Sequence, residues 1–131
     1  MARVAYLDSS AIVKTVIEEP ESRALGRFLR GFEIQASAEL ARAEVLRAVR
    51  RLEPAAVTRV FQTFETFVLL EVDQPLLDAA GFLDPLELRT LDAIHLAAAR
   101  ILSPQLDALV TYDVRMAAAG RSLGLPIETP Q

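Results

Sequence analysis

Short apolar runs alternate along this chain with segments whose apolar residues recur at helical spacing. Residues 3–7 read as a buried strand, Ala11 to Ile17 as a short helix stopped near Pro20, and Glu21 to Arg30 as a second helix ending at Gly31. Phe32 to Ala36 is a further short strand, and Ser37 is placed as the cap of a helix from about Ala38 to Leu52. Pro54 opens the next helix, to about Glu65, Phe67 to Val72 forms a third strand, and Pro75 to Phe82 forms a helix. Thr90 is read as the cap of a helix reaching Leu102, and Leu109 to Tyr112 as the fourth strand. Residues 114–123 make a short helix ended by Gly124, and Pro126 to Glu128 make an edge strand. Strands separated by helices predict right-handed βαβ crossovers and an α/β architecture, with a parallel sheet covered on both faces. No repeat, low-complexity tract or linker interrupts the pattern, so residues 1–131 are expected to form a single domain.

Two of these runs end in an aspartate. Val4-Ala5-Tyr6-Leu7 leads into Asp8, and Leu109-Val110-Thr111-Tyr112 leads into Asp113. In an open parallel α/β sheet the binding crevice lies outside the carboxyl ends of the strands, so both acids are expected to face a ligand. Asp92, in the first turn of its helix, is placed to reach the same crevice. In the preceding helical segment Ala41, Val45, Ala48, Val49 and Leu52 form an apolar stripe; Glu44 falls on its margin and Glu39 points away. Four converging carboxylates repel one another unless a cation sits among them, which points to a divalent metal site.

Each acid also has a simpler reading. Asp8 and Asp113 suit helix N-caps, the first helped by Ser9 and Ser10. Asp92 suits the positive end of its helix, and Glu44 suits a surface pair with Arg47 or Arg51. Capping and ligation can coexist, so the case for a metal rests on convergence. Ser9, Ser10 and Thr111 offer hydroxyls that orient a carboxylate or a bound water, while Thr90 fits a capping role. His95, one turn beyond Asp92, is read as a structural group rather than an acid or base. Arg42, Arg47, Arg50 and Arg51 make one helix strongly basic, either as a solvated face or as a phosphate contact.

Composition narrows the chemistry. The absence of cysteine and the single histidine exclude thiolate and multi-histidine metal sites, so any metal is held by oxygen. A hydrophobic fraction of 52% argues against disorder and leaves surplus for a partner interface. The apolar runs fall short of the ~20 residues that cross a bilayer, and no signal peptide pattern opens the chain, so a cytoplasmic protein without membrane contact is expected. With 14 Lys and Arg against 18 Asp and Glu, the net charge is −4, which is not the footprint of bulk electrostatic nucleic-acid binding. A nucleic-acid substrate would need bound metal and local basic patches.

The segments Val4 to Ala11, Ala38 to Val45, Leu91-Asp92-Ala93-Ile94-His95-Leu96-Ala97 and Val110 to Asp113 occur in the order seen in PIN-domain ribonucleases. The whole chain resembles a VapC-type toxin of a toxin–antitoxin pair. The resemblance implies a PIN-like three-layer sandwich with a central, mainly parallel sheet and helices on both faces. It also implies homodimerisation and Mg²⁺- or Mn²⁺-dependent cleavage of RNA. By position, Asp8, Glu44, Asp92 and Asp113 match the family's acidic residues, Thr111 a hydroxyl residue before the last acid, and Ser9 or Ser10 one after the first. Some members carry a further acid after the last one; here Arg115 and Met116 follow Val114, which implies a weakly held or substrate-dependent second ion. The partner implied is a small antitoxin whose C-terminal segment blocks the acidic cleft.

Mg²⁺ prefers octahedral oxygen coordination and keeps several waters, so Asp8 and Asp113 as direct or water-bridged ligands, completed by Glu44 and Asp92, suit it. The expected function is a metal-dependent endoribonuclease toxin; the alternative is a PIN-like interaction module that binds a basic segment in its cleft with little catalysis. A carboxylate-pair glycosidase fits poorly, because the chain has no Trp and few aromatics for a sugar platform. A receiver-like phosphorylation domain fits poorly too, because the only lysine, Lys14, lies in the first helix.

Overall fold

The computed structural model describes residues 1–131. Strands β1 (Val4–Leu7), β2 (Ile34–Ala38), β3 (Phe67–Leu70), β4 (Leu106–Val110) and β5 (Ile127–Glu128) form one sheet in the order β3-β2-β1-β4-β5, with every pairing parallel. Seven helices surround it: α1 (Ser9–Val16), α2 (Ser22–Leu29), α3 (Ala41–Leu52), α4 (Val57–Phe64), α5 (Gln74–Gly81), α6 (Thr90–Leu102) and α7 (Val114–Ser122). A 3₁₀ turn, Pro54–Ala56, joins α3 to α4.

The two faces of the sheet carry separate cores, as the two-residue period of a strand requires. Ala5 and Leu7 of β1 and Ala108 and Val110 of β4 point to one side, where Ile12, Leu25, Val45, Val49 and Val60 from α1 to α4 cover them. Tyr6, Ala36, Ala38 and Leu109 point to the other, where Leu76, Leu96 and Met116 from α5, α6 and α7 close over them. Burial on both faces explains why the strands read as nearly continuous apolar runs. Large-to-small changes at such positions cost about 2–5 kcal/mol, so the sheet is a rigid base for its edge residues.

From β1 the chain builds outward to β2 and β3; β4 and β5 then lie on the other side of β1. The direction of winding therefore reverses between β1 and β4, and that switch point is where an open α/β sheet leaves a crevice. Asp8 follows β1 directly, and Asp113 follows β4 after Thr111 and Tyr112.

Three sequence expectations need correction. Ser37 does not cap a helix: Ser37 and Ala38 are the last residues of β2, and α3 begins at Ala41. Ser37 is fully buried, and its hydroxyl donates to the Leu7 carbonyl at 2.7 Å, a cross-strand role that outweighs its capping preference. Thr90 is the first residue of α6, and the capping position belongs to Arg89, without a side-chain cap bond. The fourth strand lies at Leu106–Val110, earlier than the apolar run suggests, because Ser103 and Pro104 end α6 and the pairing with β1 starts at Leu106.

Glycine matters at one position within α7 and one just after it. A Cβ on Gly120 would lie 2.5 Å from Ile127 Cδ1, so its absence lets α7 pack closely on β5. Gly124 takes φ +77° just after α7, the left-handed conformation that ends a helix.

Candidate active site

Asp8 is held by hydroxyls from both sides of the switch point. It is 4% exposed. Its Oδ1 accepts the Ala11 backbone N–H at 3.0 Å, capping α1, and the Ser10 hydroxyl at 2.7 Å. Its Oδ2 accepts the Thr111 hydroxyl at 2.6 Å. The same hydroxyls fasten the acid to the end of β4: Tyr112 N–H donates to Ser10 Oγ at 3.0 Å, and Asp113 N–H donates to Thr111 Oγ1 at 3.1 Å. Burial pushes the Asp8 carboxyl above the usual carboxylate range, against the lowering effect of the Thr111 and Ser10 hydrogen bonds. A buried carboxylate with three donors still has lone-pair capacity for a cation.

Asp113 divides its oxygens. Oδ1 accepts Met116 N–H at 2.9 Å and caps α7, which leaves Oδ2 toward the crevice, 3.5 Å from Arg89 Nη2. Asp92 Oδ2 lies 3.6 Å from Arg89 Nε. Burial raises the Asp92 carboxyl first, Asp113 raises it further, and Asp8 adds to the rise against the lowering effect of Arg89. Asp8, Asp92 and Asp113 therefore share one electrostatic environment, and Arg89 bridges two of them. No other lysine or arginine comes within ion-pair distance of the four acids.

Glu44 does not pair with Arg47 or Arg51. Its side chain is 22% exposed, and Oε1 accepts the Ser9 hydroxyl at 2.5 Å and lies 2.7 Å from His95 Nε2. His95 in turn has Nδ1 2.6 Å from the Tyr6 hydroxyl. Both Tyr6 and His95 are buried, and burial pushes the Tyr6 hydroxyl well above its usual range, so it keeps its proton. The ring's other nitrogen, Nε2, donates to the Glu44 carboxylate, whose oxygen accepts. His95 also lowers the Asp8 and Asp92 carboxyls electrostatically, so its influence reaches beyond Glu44.

Sequence reasoning named the four acids and the three hydroxyl residues but missed Tyr6 and Arg89 and set His95 aside. The signal for Tyr6 was available: two residues before Asp8 on a strand, it points to the same face. Arg89 carried no sequence signal, because its reach toward Asp113 depends on α6 and α7 starting side by side.

The donor set suits a hard divalent cation: it is all oxygen, carries several carboxylates, and burial disfavours the charged forms of Asp8 and Asp92, the latter also repelled by Asp113 and Asp8. A guanidinium already occupies the position between Asp92 and Asp113 where positive charge is needed. As placed, no three of these acids form a group that could hold a metal ion by themselves, so a bound cation would also rely on waters. A recess of about 490 Å³ lined by Lys14, Arg30, Arg59 and Thr63 among others, and one of about 510 Å³ lined by Pro85, Leu88 and Arg115 among others, contain none of the four acids. Carboxylate placement rather than cavity size locates the chemistry.

Comparison with known proteins agrees with this fold. A PIN domain model matches residues 5–122. The chain is 50% identical over 125 residues to Ribonuclease VapC46 of Mycobacterium tuberculosis, covering 95% of this chain and 96% of that one. Among solved structures, Mycobacterium tuberculosis VapC20, a sarcin-ricin loop cleaving toxin, superposes with a TM-score of 0.75 at 15% identity over 88% of this chain and 95% of that one. A toxin–antitoxin complex from Klebsiella pneumoniae superposes with a TM-score of 0.73 at 20% identity over 97% and 98%.

Proposed function

The chain belongs to the PIN-domain family, and from that membership we propose that it is a metal-dependent endoribonuclease acting as the toxin of a toxin–antitoxin pair. The observation that carries the proposal is the meeting of Asp8, Asp92 and Asp113 at the β1/β4 switch point, with burial raising Asp8, and burial followed by repulsion from Asp113 and Asp8 raising Asp92. Such a cluster is a poor structural element and a good cation site.

Asp8, Asp92 and Asp113 would hold Mg²⁺ or Mn²⁺, with Glu44 completing the set. The ion supplies a Lewis acid for the phosphate and lowers the pKa of a water beside it. The protein's own residues do the positioning. Ser10 and Thr111 fix Asp8, and Ser9 and His95 fix Glu44 by donating to the same oxygen, leaving Oε2 for the crevice. His95 is committed on both nitrogens, so it is not free to take a proton from a ribose 2′-hydroxyl. The reaction proposed is hydrolysis by water: the water oxygen bonds to phosphorus, the bond from phosphorus to the 3′ oxygen breaks, a proton passes to that 3′ oxygen, and the phosphate stays on the 5′ oxygen.

The negative chain and polyanionic substrate are reconciled by the cation and by local basic groups. Arg47, Arg50 and Arg51 line one shallow recess on α3, the helix that carries Glu44, and suit contact with RNA outside the crevice. Exposed Phe82, Leu86, Leu91, Ile101 and Val114 provide apolar surface for the antitoxin and for a second copy of the chain. No helix is long and apolar enough to cross a membrane; the proposed setting is the cytoplasm.

The test is incubation of total cellular RNA with the purified protein and Mg²⁺ or Mn²⁺, beside an EDTA control and a folded Asp92→Asn variant. Discrete fragments that need metal and vanish in the variant support the proposal. RNA left equally intact by both, in preparations shown to be free of antitoxin, would sink it in favour of a module that only binds a basic segment.

A further inference from the structure

We propose that Arg89 is a substrate-binding arginine that trades the carboxylates of Asp92 and Asp113 for an RNA phosphate when a divalent cation occupies the crevice. The inference rests on the metal-dependent reading above and assigns one more residue to the same site.

Arg89 spans two carboxylates on different helices, with Nε 3.6 Å from Asp92 Oδ2 and Nη2 3.5 Å from Asp113 Oδ2. Both contacts are at the long limit of a hydrogen bond, and the side chain is 70% exposed, so the pairing is weak and easily exchanged. The backbone, by contrast, is fixed: Arg89 sits at the start of α6, and its carbonyl accepts Ala93 N–H at 2.9 Å. A tethered backbone with a loosely held guanidinium describes a side chain that swings about a fixed point.

The charge balance gives that swing a direction. A divalent ion held by Asp92 and Asp113 takes the oxygens that Arg89 now faces, and like charge expels the guanidinium from between them. The polyanion brought to that ion presents phosphate oxygens at the same rim. Arg89 is the one lysine or arginine already within ion-pair distance of the acids there. Its planar fork matches two phosphate oxygens, a pairing that an ammonium cannot reproduce.

The proposal requires two effects of opposite sign in one variant. Removing a competitor should tighten metal binding, and removing a phosphate contact should weaken RNA binding. The experiment is an equilibrium Mn²⁺ titration, read by electron paramagnetic resonance, of wild type, Arg89→Ala, Arg89→Lys and an Asp113→Asn control, each checked by circular dichroism and thermal melting. It is paired with binding of a fluorescent single-stranded RNA in Ca²⁺ over a salt series, with the RNA checked for integrity.

Arg89→Ala should bind Mn²⁺ up to about fivefold more tightly, the scale of one exposed ion pair. Its RNA affinity should fall, with the slope of log K against log salt shallower by about 0.7, one single-strand phosphate contact. Arg89→Lys should restore the metal competition but only part of the RNA affinity. Unchanged Mn²⁺ affinity in Arg89→Ala, or an unchanged RNA salt slope, overturns the proposal while leaving the metal site standing. Wild type that binds no Mn²⁺, or an Asp113→Asn control that binds it equally well, overturns both this proposal and the functional reading beneath it.

Discussion

The Tyr6 hydroxyl lies 2.6 Å from His95 Nδ1 beneath the acidic crevice, and this contact holds the ring with its Nε2 facing Glu44. The phenol retains its proton because burial disfavours its charged form, and Nε2 donates because the Glu44 carboxylate oxygen can only accept. A residue that never touches Glu44 thereby fixes its orientation through the imidazole.

Tyr6→Phe should keep the fold and cost about 1 kcal/mol of stability for the lost hydrogen bond. Cleavage or metal affinity should fall by about tenfold or more, the scale of losing a partner behind a metal-site ligand. Thermal melting and a Mn²⁺ titration separate the two effects; a variant with wild-type metal affinity and wild-type turnover contradicts the relay.

Thr111→Val nearly conserves volume but deletes the hydroxyl that donates to Asp8 Oδ2 and accepts from Asp113 N–H. The buried carboxylate loses a donor and a backbone N–H loses its acceptor, which should cost about 1–3 kcal/mol in denaturant unfolding. Thr111→Ser, which retains the hydroxyl, should recover most of the loss. Equal stability of the Val and Ser variants would remove the hydroxyl from the account.

Asp92→Asn should abolish cleavage yet raise the melting temperature of the metal-free protein at neutral pH by a few degrees. The substitution relieves burial of a charge and its repulsion with Asp113 and Asp8, while the lost Arg89 contact is exposed and weak. A lower melting temperature than wild type would show that Asp92 contributes to stability rather than opposing it.

The raised carboxyls of Asp8 and Asp92 also set a pH dependence. A group whose native pKa exceeds its unfolded value binds more protons when folded between those two values, so stability falls as pH rises through that window. The window begins near the ordinary value of 3.8 and extends upward to the raised native values. Metal-free protein should thus gain stability on acidification from neutral pH into this window. The gain should be smaller in Asp92→Asn, and Mg²⁺ should stabilise wild type at neutral pH by binding the folded form. Parallel pH profiles for wild type and Asp92→Asn would contradict the assignment.

The sheet and its acids were legible in the sequence for physical reasons that particular residues make plain. Leu7 and Val110 belong to strands buried on both faces, so continuous apolar runs marked β1 and β4, and the acids beyond them marked the carboxyl edge. Ser37 was misread because its local preference for a helix cap is overridden by a cross-strand bond to Leu7, a partner 30 positions away. His95 and Arg89 were not legible for the same reason. Their roles depend on Tyr6, Glu44 and Asp113, which only the packing of α6 against β1, α3 and α7 brings near. Glu44 was legible as a marginal helix position, but its partner was not: the neighbouring arginines of α3 lose it to His95 on another helix.

The chemistry of the RNA ends tests the central claim most directly. Fragments made by the purified protein in Mg²⁺ would be analysed by mass spectrometry, with EDTA and Asp113→Asn reactions alongside. Water-driven hydrolysis at the acidic crevice predicts 5′-phosphate and 3′-hydroxyl ends that appear only with metal and only in wild type. Fragments bearing 2′,3′-cyclic phosphates, or cleavage that persists in EDTA or in Asp113→Asn, would contradict it.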